Sequence, residues 1–190
     1  MKTENILITE DIPHVVLKSI NHILEQEGGY VNDPFDKGGA TNFGISDIRD
    51  GNEDGLIDID LDGIGDVDPK NLTKEQAIAI YYREYWLANS CQHLNRGVAL
   101  VLFDIAVNQS ASWGRKTLQD LVGAKKDGIV GPNTIRLVNA KEPLCIAMQL
   151  SHLRTVRYVK KVKETPSQVR FLEGWVNRAY DVLFEASLYV

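Results

Sequence analysis

Two carboxylic acids, Glu27 and Asp36, bracket a glycine-rich stretch that reads EGGYVNDPFDKGGATNFGI from Glu27 to Ile45. A Gly-Gly pair follows Glu27 directly, a second follows Asp36 after Lys37, and Thr41 and an aromatic-Gly turn close the segment. Glycines at these points allow positive φ or the close approach of a ligand to the backbone. A tight loop with an acid at each end suits proton-transfer chemistry. One protonated carboxyl can serve a leaving oxygen while a second group directs water or stabilises positive charge.

The elements that must position these acids can be read on either side. From Ile12 to Glu27 the apolar residues Val16, Ile20, Ile23 and Leu24 recur at helical spacing, and Glu27 falls on their face. Gly28-Gly29 stops that helix. An acid on the apolar face of a helix end loses water, which raises its pKa and fits it to donate a proton near neutrality. Position alone leaves a solvated last-turn glutamate equally open. Glu25 points elsewhere and reads as an exposed charge. Tyr30 to Ile45 is expected to form short extended pieces and turns, a small hairpin with Asp36 facing the helix end. Taken alone, Asp36 is the ordinary acid of an Asx turn.

Residues 47–68 hold nine acids and one base, Arg49. Asp50-x-Asn52-x-Asp54-Gly55 begins like a calcium loop, and Asp58-x-Asp60-x-Asp62-Gly63, followed by Asp66, begins again eight residues later. Alternating short acids with glycine at the sixth position supply a hard cation with oxygens around a sharp turn. The twelfth positions are Leu61 and Pro69, so a standard paired EF-hand is not expected; the register is nearer to back-to-back DxDxDG repeats. The expected ligands are Asp50, Asn52, Asp54, Asp58, Asp60, Asp62 and Asp66, with Ca²⁺ in a structural role and no cofactor needed for catalysis. The competing reading is a solvated acidic linker.

Beyond this island a capping box, Thr73-x-x-Gln76, opens an aromatic-rich helix. Gly97–Ser110 is nearly continuously apolar and reads as a buried central helix, with Asp104 and Asn108 expected to form a buried hydrogen-bonded pair. The run LQ…G…DGIVGPNT places an Asp-Gly turn before a helix beginning near Pro132. Two further helices are expected over 144–162 and 167–188. The lysines at 160, 161 and 163 read as a solvated face.

The chain has 190 residues, 44% of them apolar, enough to bury a core. No apolar run reaches the roughly 20 residues that span a bilayer, and the N-terminus has no signal-peptide pattern. Outside 47–68 there are 17 acids and 20 bases against 26 and 21 in all, a mildly basic remainder that suits a polyanionic partner. The two cysteines, Cys91 and Cys145, are expected to be buried free thiols. The acidic pI of about 5.4 and the lack of a basic reading helix argue against nucleic acid.

The segment EGGYVNDPFDKGGATNFGIS resembles the active-site segment of glycoside hydrolase family 108, N-acetylmuramidases of the lysozyme superfamily found among phage endolysins and secretion-linked muramidases. The LQ…G…DGIVGPNT stretch is similar to that family's peptidoglycan-binding-like second half. The resemblance implies a mostly α, lysozyme-like fold with a small β-hairpin at the active site. It implies one domain over 1–190, with a catalytic segment at 1–93 and a helical peptidoglycan-binding-like half at 94–190. It implies cleavage of the β-1,4 bond between N-acetylmuramic acid and N-acetylglucosamine, with Glu27 as general acid, Asp36 as second acid and Thr41 as the motif threonine. Tyr30, Phe43 and Trp86 are the aromatic residues expected to contact substrate. The partner is bacterial peptidoglycan, with no nucleic acid and no membrane, for a monomer made in the cytoplasm and released by a holin or a secretion system. The acidic loop at 47–68 is a departure from the family pattern. It keeps a second function in play, a non-catalytic, calcium-stabilised glycan-binding module.

Overall fold

The computed structural model describes residues 12–32, 39–46 and 54–190; of Gln26 and Glu27 it describes the backbone alone. The chain is mostly helical with one small antiparallel sheet. It divides into two compact units, Met1–Arg83 and Glu84–Val190.

In the first unit, α1 (His14–Glu27) buries Val16, Ile20, Ile23 and Leu24. These are the positions whose spacing predicts the helix. Its stop is conformational. Gly28 has φ 78° and ψ −166°, a combination essentially confined to glycine, and a Cβ there would touch nothing within 4 Å. The chain then runs extended, and Val31 pairs antiparallel with Thr41. β1 (Thr41–Asn42) and β2 (Ile45–Ser46) form a two-residue hairpin in register Thr41↔Ser46 and Asn42↔Ile45. Phe43 and Gly44 both take positive φ, as the favoured two-residue turns require. The hairpin is tied down at two points: buried Asn42 donates its Nδ2 to the Pro69 carbonyl at 2.8 Å, and the Tyr81 hydroxyl donates to the Phe43 carbonyl at 3.1 Å.

The predicted capping box is present. Thr73 Oγ1 accepts from the Gln76 N–H and Gln76 Oε1 from the Thr73 N–H, opening α2 (Lys74–Tyr81). A π segment, Tyr82–Leu87, follows it.

The second unit is built on α3 (Arg96–Ile105), whose residues from Gly97 to Ile105 are all buried. A π segment at Ala106–Ser110 leads into α4 (Ala111–Val122). Thus the predicted helix over 97–110 is α-helical only to Ile105. α5 (Pro132–Asn139) begins at the expected proline, and α6 (Pro143–Glu164) and α7 (Val169–Ser187) pack on each other and on α3. α7 buries only Ala179 and Ala186 fully. Gly97 makes that contact possible: a Cβ there would lie 2.5 Å from Val190 Cγ1 and 2.7 Å from the Ala186 carbonyl oxygen.

The expected Asp104–Asn108 hydrogen bond forms, with Asn108 Nδ2 donating to Asp104 Oδ1 at 3.0 Å and to its carbonyl at 2.9 Å, but only Asp104 is buried and Asn108 is exposed, which corrects the expectation of a buried pair. The pair belongs to a larger cluster. Arg154, 0% exposed, donates to Asp104 Oδ2 and, through Nε, to the Tyr158 hydroxyl at 2.9 Å. Arg178 donates Nε to Asp104 Oδ1 at 2.9 Å, with its Nη2 2.8 Å from the same oxygen. Both cysteines are free, and burial pushes the Cys91 thiol up. Cys145 corrects the expectation of two buried thiols: it is exposed on α6.

Candidate active site

Glu27 is the last residue of α1, directly before the backbone turn that only Gly28 can make. Its side chain is not described, and Asp36 lies outside the described residues. What can be followed is the frame between them. Val31 and Thr41 exchange two backbone hydrogen bonds of 2.8 Å, so the chain that leaves Glu27 returns to pair with the chain that leaves Asp36. Thr41, half-buried, therefore stands at the junction of the Val31 bridge and the hairpin.

Of the three aromatic residues expected at the sugar, Tyr30 is 41% exposed and Phe43 half-buried at the hairpin turn. Trp86 corrects the expectation. It is 4% exposed and meets Phe103 edge-on at a centroid distance of 5.8 Å, a core position that offers no ring face to a ligand.

In the acidic loop, Asp50 and Asn52 lie outside the described residues. From Asp54 onward each short acid bonds backbone ahead of it. Asp54 accepts from the Leu56 N–H, Asp60 from Asp62, Asp62 from Ile64, and Asp58 from both Leu61 and Gly63. Asp66 reaches back to accept from the Ile59 N–H at 2.7 Å, closing the turn that the Ile57↔Val67 bridge begins. The Arg83 guanidinium donates to the Ile59 carbonyl. These bonds gather one carboxylate oxygen from each of Asp58, Asp60 and Asp66 within 4.8 Å of one another, with Asp58 buried. Oxygens sharing one Ca²⁺ can stand up to about 5 Å apart, twice the usual ligand distance, so the set fits that ion. Asp54 and Asp62 are not in this cluster.

The second motif turns out to be a device for closing a loop. Gln119, 1% exposed, donates Nε2 to Asp127 Oδ1 at 2.8 Å and to the Ile129 carbonyl at 3.0 Å, while its Oε1 accepts from the Gly128 N–H at 2.8 Å. Asp127 also accepts from the Ile129 N–H, and these bonds, with Lys125 nearby, hold its carboxyl below the usual range. Arg115 donates Nε to the Gly128 carbonyl and Nη1 to Asn89 Oδ1.

A cavity that sequence reasoning missed lies between the Ala106–Ser110 segment, α6 and α7. About 330 Å³ in volume, it is lined by Asn108, Gln109, Arg157, Tyr158, Lys161, Trp175 and Arg178. Lys160, Lys161 and Lys163 are exposed, as expected of a solvated face, and Lys161 in addition lies over Trp175 of α7, a partner on another helix.

The helical architecture with its single small hairpin is that of a lysozyme-like fold. Residues 20–109 match the family model of glycosyl hydrolase 108, and residues 113–180 match that of the Predicted Peptidoglycan domain. A solved structure of SagA from Brucella abortus is similar along most of its length, with 29% identity and a TM-score of 0.70, covering 92% of this chain and 94% of that one. No curated protein matches the chain. The chain thus carries a glycosyl hydrolase 108 segment followed by a predicted peptidoglycan domain, the composition of a glycoside hydrolase acting on peptidoglycan. No helix among the described residues is long and apolar enough to cross a membrane.

Proposed function

We propose that the protein is an N-acetylmuramidase that cleaves the β-1,4 bond between N-acetylmuramic acid and N-acetylglucosamine. Glu27 is the general acid, protonating the leaving oxygen. Asp36 is the base or electrostatic stabiliser, and Thr41 helps to hold the water. The observation that carries this reading is the local frame of the acid: the helix ends on Glu27, glycine-only backbone follows, and the next residues are bridged to Thr41. A helix end fixes the base of the acid's side chain, and fixed position is what effective proton transfer needs. Asp58, Asp60 and Asp66 would hold a structural Ca²⁺, which neutralises a cluster of carboxylates that repel one another when empty. Calcium has no part in the chemical step.

Mass spectrometry of purified peptidoglycan, digested by wild type and by Glu27→Gln, tests the bond and the acid together. Fragments ending in reducing N-acetylmuramic acid, made by the wild type and lost at least 100-fold in Glu27→Gln, are expected, since a general acid contributes roughly 10²–10⁴-fold. A Glu27→Gln protein that digests as fast as wild type would remove the assignment. Reducing N-acetylglucosamine ends would change the bond.

A further inference from the structure

The Asn108–Arg178 cavity has features that the folding of the second unit does not require. Among the described residues three cations, Arg157, Lys161 and Arg178, line it, and no acid does. Arg178 is matched by Asp104 behind it, but Arg157 and Lys161 form no ion pair among the described residues. Instead each lies over an indole, the Arg157 guanidinium 4.7 Å from the Trp113 ring and the Lys161 ammonium 4.8 Å from the Trp175 ring. Arg157 and Lys161 are four apart on α6, where like charges repel.

Gln109, on the π segment, adds a second and independent sign. Both its Oε1 and its Nε2 are out of contact with solvent and without a hydrogen-bond partner. Buried polar groups normally have partners, so an orphaned carboxamide in a cavity wall needs an account. Its terminal torsion is soft enough to turn toward a ligand.

We infer that this cavity binds a carboxylate joined to an amide, the chemistry of the peptide stems of peptidoglycan. Arg157 and Lys161 take the carboxylate, and the Gln109 carboxamide pairs with the neighbouring amide. The inference rests on the peptidoglycan reading above and names the part of that polymer that the second unit grips. Two observations favour a peptide over the other anions or sugars of a wall. A phosphodiester, the form of phosphate in a wall polymer, offers no donor to the orphaned Gln109 oxygen, whereas an amide answers both the donor and the acceptor. A sugar ring needs an open aromatic face, but Tyr158 and Phe171 stack on Trp175 at 5.2 and 5.9 Å and Lys161 lies over it. The volume holds one or two amino-acid residues, at the lower end of ordinary ligand sites.

Calorimetric titration of the full-length protein tests this with a soluble disaccharide-tripeptide muropeptide, the same compound with its stem carboxylates amidated, and inorganic phosphate. Binding of the free-acid form, at least 10-fold weaker for the amidated form and for Arg157→Gln/Lys161→Gln, with phosphate competing poorly, is the expected result. The amidated ligand needs no variant, so a variant that fails to fold leaves the test standing. Equal affinity for the free and amidated forms, no binding at all, or phosphate competing at equal concentration would each overturn the inference. Digestion of peptide-stripped glycan separates the two readings: cleavage there with no carboxylate dependence of binding removes the inference alone, and no cleavage of any glycan removes the muramidase.

Discussion

Replacing Asp104 by asparagine should be the most damaging single-atom change available in the second unit. The carboxylate is 4% exposed and, among the described residues, is the only acid facing these two guanidiniums, Arg154 at 0% exposure and the partly exposed Arg178, while also accepting from Asn108. Asparagine keeps the shape but loses the charge, and it turns an N–H₂ donor toward groups that can only donate. Removing one partner of a buried ion pair costs about 3–5 kcal/mol, because the charge left behind is neither hydrated nor paired. For a chain of this length each kcal/mol moves the melting temperature by about 2–4 °C, so Asp104→Asn should melt about 6–20 °C lower. Circular dichroism melting and urea titration, run side by side, give the two measures. The double variant Asp104→Leu/Arg154→Met, which removes the fully buried one of the two stranded charges and leaves only the partly exposed Arg178, should lose less than Asp104→Asn despite carrying two changes. A loss below about 1 kcal/mol in the single variant would refute the view that the cluster is held by charge.

Gly28→Ala should cost about 1–3 kcal/mol through backbone strain alone, whereas Gly29→Ala, with open space and no positive φ, should stay within about 0.5 kcal/mol; equal melting of the two would refute the conformational argument. With Ca²⁺ at about 100 times its dissociation constant, mass action adds about 2.7 kcal/mol, so chelator should lower the melting temperature by about 5–10 °C and have less effect on Asp60→Asn. Superimposable curves with and without chelator would return the loop to a solvated linker. Because the folded state holds the Asp127 carboxyl below its ordinary value of 3.8, its contribution is present at neutral pH and fades as pH falls through the lowered value. The stability gap between wild type and Asp127→Asn should therefore narrow between pH 7 and pH 3, and a gap that widens would contradict the assignment.

The sequence was most legible where one residue type has one physical use. Apolar spacing foretold α1 and α3, the Thr73 capping box foretold α2, and Pro132 marked the first turn of α5. It was least legible where meaning depends on partners distant in sequence. Trp86 reads as a candidate sugar platform until Phe103 is found against it. Asp104 and Asn108 announce themselves by their spacing, but Arg154 and Arg178, 50 and 74 residues further on, leave no local trace of belonging to the same cluster. The cavity on α6 and α7 was invisible for the same reason, since its lining is gathered from three separate segments. Of the candidate catalytic set, the helix end and the strand carrying Thr41 were readable from glycine placement and turn chemistry.

The Gln119 knot has a consequence for how such chains diverge. Its three hydrogen bonds commit the most recognisable letters of the second half to closing one turn, so that motif is first of all a grammar of folding. Ile129, inside the motif, is 70% exposed and free to vary without loosening the knot. Changes of wall preference can then be written on α6 and α7 while the signature stays intact, and two chains sharing DGIVGPNT need not share a taste in substrate.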